Sequence, residues 1–291
     1  MKSIRTPESR FENLPGYPYK PNYIEIDGLR MHYLDEGKGD VILCLHGEPS
    51  WSYLYRKFIP VLSPNARIIC PDLFGFGKSD KPTSISDYSF DFHLNSLKSF
   101  LKKLELNNIT VVVQDWGGLL GLSLLGDNPE LFSRVVIMNT FLPIGKRKMP
   151  AAFTAWKTFA LNSPFFPIGK IISKATARDL SKEIIAAYDA PFPDKKYKAG
   201  ARAFPALVPS KPTDPGVATM TNAREVLKKW TKPALVMFSD KDPIMRGGDE
   251  WFNGNIPSRE DMPIIEIKNA GHFLQEDAGE EIANHILDFI R

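Results

Sequence analysis

Ile109-Thr110-Val111-Val112-Val113-Gln114-Asp115-Trp116-Gly117-Gly118 reads as a strand that turns sharply into a helix, with a carboxylate at the turn. In an elbow of the G-x-S-x-G type the central residue sits on a strained turn. Its side chain is exposed above the sheet, and small flanking residues let strand and helix approach. Here Asp115 takes the serine's place, Gly117 fills the second small position, and Val113 stands where the first glycine is usually written. A carboxylate cannot profitably attack an amide. It can displace a good leaving group from saturated carbon, forming an ester that water then cleaves. The chemistry implied is alkyl transfer.

Outward from this stretch the chain offers eight strand candidates. Tyr23 to Asp27 and Arg30 to Asp35 form a hairpin through Gly28, and Val41 to Leu45 follows a Gly-Lys-Gly-Asp turn. Arg67 to Cys70, Ile109 to Val113, Arg134 to Met138, Ala234 to Phe238 and Ile264 to Ile267 complete the series. Helical patterns lie between the later ones, such as Phe90 to Leu104 and Leu119 to Leu125, with a last helix from Gly279 to Ile290. Such alternation predicts a mostly parallel sheet with covered faces. Between about Ile144 and Glu225 it breaks off into proline, aromatic and basic residues, as expected of a helical insertion. The expected division is a core of residues 1–143 and 225–291 with a cap of residues 144–224.

The chain has 291 residues, 43% of them hydrophobic, enough for one large domain with an insertion. Lys plus Arg (37) nearly balances Asp plus Glu (34), and the cluster Lys146-Arg147-Lys148 is too short for a nucleic-acid surface. Met1 to Tyr23 has no signal-like apolar stretch, and no run reaches the roughly 18 apolar residues of a membrane span. A cytoplasmic protein is expected. Cys44 and Cys70 lie in apolar strand-like runs, the pattern of buried hydrophobes, with neither a disulfide nor a metal site expected.

In the α/β-hydrolase order an acid and then a histidine follow the nucleophile. Downstream of Asp115 stand only His272, in a loop after the last strand candidate, and His285, inside the terminal helix. His272 is the expected base, needing a carboxylate on its other nitrogen. Asp240 and Asp242 both follow the Ala234 to Phe238 strand with the same facing, so periodicity leaves both open. The loop His46-Gly47-Glu48-Pro49 follows the Val41 to Leu45 strand. It nominates the Glu48 backbone N–H, with that of Trp116, as donors to a developing oxyanion, His46 being a loop residue. The Trp116 indole is a donor without a competing lone pair, suited to a departing halide.

His46-Gly47-Glu48-Pro49-Ser50-Trp51, Val112 to Gly118, Phe153-Thr154-Ala155-Trp156, Ala190-Pro191-Phe192-Pro193-Asp194 and Ala270 to Glu276 together resemble a haloalkane dehalogenase. The resemblance runs from near Arg5 to the terminal helix. It is narrowest to the subfamily that holds halide between two tryptophans and takes its acid after the seventh strand. It implies an α/β-hydrolase fold, an eight-stranded mostly parallel sheet with a helical cap, Asp115 as nucleophile, His272 as base and Asp242 as acid. It also implies halide donation by Trp116 and Trp156, and a pocket lined by Phe153, Phe204 and Pro205. The sister subfamily has an asparagine where Glu48 stands and an acid after the sixth strand, where Met138-Asn139-Thr140 holds no carboxylate. The implied substrate is a small halogenated alkane, with halide, alcohol and a proton as products; no metal or organic cofactor, nucleic acid or membrane is expected.

Gly75-Phe76-Gly77-Lys78-Ser79 looks like part of a phosphate loop, but position 72 holds Asp72 in place of the required glycine. The third glycine of a dinucleotide fingerprint is likewise replaced, by Asp80, and a structural turn is expected. The nearest enzymatic alternative is an epoxide hydrolase, whose resemblance would need two cap tyrosines, with Tyr188 and Tyr197 available. A fluoroacetate-type enzyme would carry an arginine where Trp116 stands. A non-catalytic receptor of the same fold would not keep nucleophile, acid and base together.

Overall fold

The computed structural model describes residues 1–146, 149–260 and 262–291; Arg147 and Lys148 of the basic cluster therefore lie outside the described residues. All eight expected strands form and join one sheet: β1 Asn22–Ile26, β2 Leu29–Glu36, β3 Val41–Leu45, β4 Arg67–Pro71, β5 Ile109–Gln114, β6 Phe132–Met138, β7 Ala234–Ser239 and β8 Ile265–Ile267. Their spatial order is β8-β7-β6-β5-β3-β4-β2-β1. Only β2 runs against its two neighbours, β1 and β4. Strand β5 is buried along its whole length, as a central strand covered on both faces must be, which is why its sequence shows no alternation. A small antiparallel pairing of Ser3–Ile4 with Lys81–Pro82 went unforeseen, being too short to leave a pattern.

Helix α1 (Ile59–Leu62) is a single turn, whereas α2 (Phe90–Lys103) matches its expected span closely. The Ser89 hydroxyl caps α2 by accepting from the Phe92 N–H at 3.0 Å. Helix α3 spans Trp116–Asp127, longer at both ends than the expected Leu119 to Leu125, because Gly117 and Gly118 already belong to its first turn. It is apolar nearly all round, as a helix buried between sheet and neighbours should be.

After β6 come α4 (Ala151–Asn162), α5 (Ile168–Lys174), α6 (Lys182–Asp189) and α7 (Ala199–Leu207). Helix α8 (Val217–Leu227) runs across the expected cap boundary at 224/225 and packs along α3, where Gly126 lies against Ala223. Helix α9 is Gly248–Asn255. Helix α10 spans Leu274–Ile290 and contains one non-helical residue, Ala278. The expected Gly279 start is the point where regular helix resumes after that kink.

The helical stretch after β6 is tied to the sheet-side segments by polar contacts. Glu276 receives both guanidinium nitrogens of Arg56 and the Tyr188 hydroxyl, while its backbone oxygen accepts from Lys57 Nζ at 2.6 Å. Asp277 accepts the Ala177 and Gly271 N–H groups at 2.8 Å and the Arg178 N–H at 3.1 Å. The phosphate-loop lookalike wraps a buried carboxylate. Asp72 accepts from the Ser52 and Lys78 N–H groups, each at 2.8 Å, and from His32 Nδ1 at 2.7 Å. Cys44 and Cys70 are buried and free. No helix among the described residues is long and apolar enough to cross a membrane.

Candidate active site

Asp115 sits between β5 and α3 with φ 51° and ψ −125°, a conformation side-chain-bearing residues rarely adopt, held by packing on both sides. Its N–H donates to Asn139 O at 3.0 Å and its carbonyl accepts from the Thr140 hydroxyl at 2.7 Å. Gly117 is required by close approach: a Cβ there would lie 2.0 Å from the Leu45 carbonyl oxygen at the end of β3. Gly47 meets the same limit, its virtual Cβ falling 2.4 Å from Asp115 Cβ. The elbow's small positions therefore answer to the neighbouring strand and its loop.

The loops after β7 and β8 bring the expected partners to Asp115. His272 Nε2 lies 3.5 Å from Asp115 Oδ2, and His272 Nδ1 donates to Asp242 Oδ2 at 2.7 Å. Asp242 Oδ1 accepts the Ile244 and Met245 N–H groups at 2.8 and 3.2 Å, so the carboxylate is held at both oxygens. Asp240 instead accepts the Ala270 N–H at 3.1 Å in a turn. Geometry thus separates two aspartates that strand periodicity left equivalent.

Across the elbow the Glu48 N–H donates to Asp115 Oδ1 at 2.8 Å. Beside it His46 is committed within the loop, its Nδ1–H donating to Gly47 O and its Nε2 accepting from the Leu73 N–H, both at 3.0 Å. Asp115, His272, Trp116, Trp156 and the Glu48 side chain all line one cavity of about 540 Å³, otherwise walled mainly by apolar residues. That volume suits a small organic ligand. Phe153 and Pro205 line it as expected. Phe204 does not: it is fully buried behind Trp116, ring centroids 4.6 Å apart, and also packs on Phe76 and His93. Next to it in sequence, Pro205 takes the face of α7 that meets the cavity.

Charge in this pocket is unevenly supported. Burial works against a protonated His272, yet the Asp242 charge and hydrogen bonds to Asp115 and Asp242 overcome it and push the imidazole up to about 10. Burial likewise opposes an ionised Asp242, but its histidine partner and two backbone donors hold it below the usual carboxylate range. Glu48 is less well supported: burial and the nearby Asp115 push its carboxyl well up against the charge of His272 and a hydrogen bond from Trp156, and its Oε1 has no hydrogen-bond partner. Among the described residues no group of three or more His, Cys, Asp or Glu could hold a metal ion.

The tyrosines of the alternative reading are elsewhere. Tyr188 is buried with its hydroxyl on Glu276, and neither it nor Tyr197 lines the cavity. Asn139 was not foreseen as a site residue. Its Nδ2 donates to Ser239 Oγ, Gly271 O and His272 O at 2.7, 3.1 and 3.2 Å, and its Oδ1 accepts the Ser239 N–H at 2.9 Å. One amide thus ties the ends of β6 and β7 to the histidine loop. A signal was available, since asparagine closing an apolar strand tolerates the positive φ (29°) found there.

Comparison with known proteins agrees with this geometry. A family model described as alpha/beta hydrolase fold matches residues 40–279. A haloalkane dehalogenase of Psychrobacter cryohalolentis is 49% identical over 298 aligned positions, covering 100% of this chain and 98% of the relative. One of Mycolicibacterium paratuberculosis is 47% identical, covering 99% and 98%. Among solved structures, a tetrameric haloalkane dehalogenase of Paraglaciecola agarilytica superposes with a TM-score of 0.93 at 38% identity, over 98% of this chain and 97% of its own. With an elbow aspartate beside a carboxylate-backed histidine at one wall of an apolar cavity, and with this similarity to those enzymes from end to end, the chain belongs to the haloalkane dehalogenase family.

Proposed function

We propose that the chain hydrolyses carbon–halogen bonds of haloalkanes with Asp115 as nucleophile, His272 as base and Asp242 as its supporting acid. The observation that carries this assignment is the chain of contacts from Asp115 Oδ2 to His272 Nε2 (3.5 Å) and from His272 Nδ1 to Asp242 Oδ2 (2.7 Å) at one wall of the cavity.

The two oxygens of Asp115 have different duties. Oδ1, held by the Glu48 N–H, becomes the ester carbonyl oxygen, and the freer Oδ2 attacks the halogen-bearing carbon in line with the leaving halide. Trp116 and Trp156 offer indole N–H donors to that halide, in keeping with the two-tryptophan subfamily. Water then adds to the ester carbonyl carbon, His272 Nε2 taking its proton, while the Glu48 and Trp116 backbone N–H groups stabilise the oxyanion on Oδ1. Collapse releases alcohol and restores the carboxylate; per turnover one water is consumed and one halide and one proton appear. Alkylation removes the negative charge on Asp115 that helps to keep His272 protonated, so the imidazole gives up its proton more readily once the ester exists, the Asp242 charge remaining. Residues 144–224 supply the cap, with α8 bridging to the core.

The test is halide release from 1,2-dibromoethane and 1-bromobutane at mildly alkaline pH, with Asp115→Asn as blank and an epoxide panel alongside. Asp115→Asn should lower kcat by on the order of 10⁴ or more. Full activity in the freshly purified variant, with deamidation excluded by mass spectrometry, would sink the assignment.

A further inference from the structure

Helix α5 turns a narrow face toward the cavity. The lining positions of the helix and its two flanking residues are Pro167, Lys170, Ile171, Lys174 and Ala175, spaced by three, one, three and one, a single stripe. In a purely apolar pocket such a stripe would be apolar throughout. Here two of the five are lysines one turn apart, and both are exposed while lining the cavity, so they mark its opening together with Phe165, itself 68% exposed. Among the described residues neither lysine has an ion-pair or hydrogen-bond partner within the protein. The cavity's two carboxylates, Asp115 and Glu48, sit with the reacting groups on the sheet side, and none accompanies the lysines. Lys174, in the last turn of α5, also complements the helix dipole, but this gives no reason for Lys170 to share the stripe.

We infer that the substrate range extends to ω-halocarboxylates, the halogenated carbon seated at Asp115 and the distal carboxylate held at the opening by Lys170 and Lys174. The inference rests on the dehalogenase reading and names a substrate class for the same site. The chemistry balances as before: water is consumed, and an ω-hydroxycarboxylate, halide and a proton are formed. The distal carboxylate remains partly hydrated at the opening, so its burial cost is small, and the attraction is that of exposed charges, modest and screened by salt.

The experiment measures halide release from 4-bromobutanoate, 6-bromohexanoate and 8-bromooctanoate, each against its methyl ester, which keeps the chain and removes the charge. For the carboxylate of matching length, the acid-to-ester ratio of kcat/KM should fall about tenfold in Lys170→Gln/Lys174→Gln, chiefly through KM. In the unaltered protein the same ratio should fall as salt rises from about 0.05 to 0.5 M, a readout that needs no variant. A ratio within twofold of the unaltered protein's in the double variant, or one insensitive to salt at every chain length, would overturn the inference while leaving the dehalogenase reading intact. Absence of halide from the methyl esters as well would overturn both.

Discussion

At the scale of single residues, the informative contrast is between carboxylates of similar sequence context and different fate. Asp242 is held by a histidine and two backbone donors, Asp240 closes a turn, and Glu48 is buried with one carboxyl oxygen unpartnered. His272→Phe should halt the reaction at the ester, visible as an added alkyl mass on the peptide containing Asp115; lost activity without that mass would argue against a two-step route. Because the ester lacks the Asp115 charge, the pKa governing ester hydrolysis should lie below the value near 10 of the free enzyme. A single-turnover pH profile of hydrolysis checks this, and an acid limb at or above the free-enzyme value would contradict it. The places of Asp115 and His272 at one site were legible because strand ends and loop residues carry their own signals. The duty of Asn139 was not: its partners lie 100 and more residues away, so that no local pattern contains them.

At the scale of elements, runs buried on both faces were readable because burial forbids alternation, whereas helix starts were displaced wherever local chemistry was atypical. Gly117 and Gly118 disguised the first turn of α3, and the kink at Ala278 hid that of α10. Phe204 and Pro205 show the limit of sequence within one helix, because adjacent residues differ by about 100° in direction and only packing says which faces the cavity. Helix α4 carries Trp156 to the cavity wall. Replacing Trp156 by Phe keeps the packing and removes the N–H, and halide affinity should fall roughly ten- to hundredfold, the worth of a hydrogen bond to a charge. A fluorescence titration reads it, and an unchanged affinity would return this tryptophan to packing alone. Helix α6 is tied to α10 through Tyr188 and Glu276. Tyr188→Phe should cost about 1.5–3 kcal/mol by denaturant midpoint.

At the scale of the whole molecule, ionisation couples to folding in two opposite senses. Burial disfavours an ionised Asp72, but His32, His46 and backbone donors hold its carboxyl below the usual range. It therefore contributes stability above its unfolded value near 4 and loses it as pH falls. His272 is raised, so its contribution is full below its unfolded value near 6.5 and is lost as pH rises through about 10. Denaturant midpoints should therefore decline on both sides of a neutral plateau. Asp72→Ala, which strands His32 and two backbone donors, should cost about 3–5 kcal/mol.

His272, the proposed base, and the helical stretch after β6 share their fastenings. The His272 N–H donates to Ala175 O at 2.7 Å, Gly271 and the Ala177–Arg178 backbone meet on Asp277, and Glu276 grips α6 through Tyr188. The insertion is consequently not a detachable module. A lineage or an engineer exchanging it for another would also have to furnish an acceptor for the histidine's amide and donors for Asp277. Substrate range should thus drift more readily through side chains on the existing helices than through wholesale replacement of the segment that bears them.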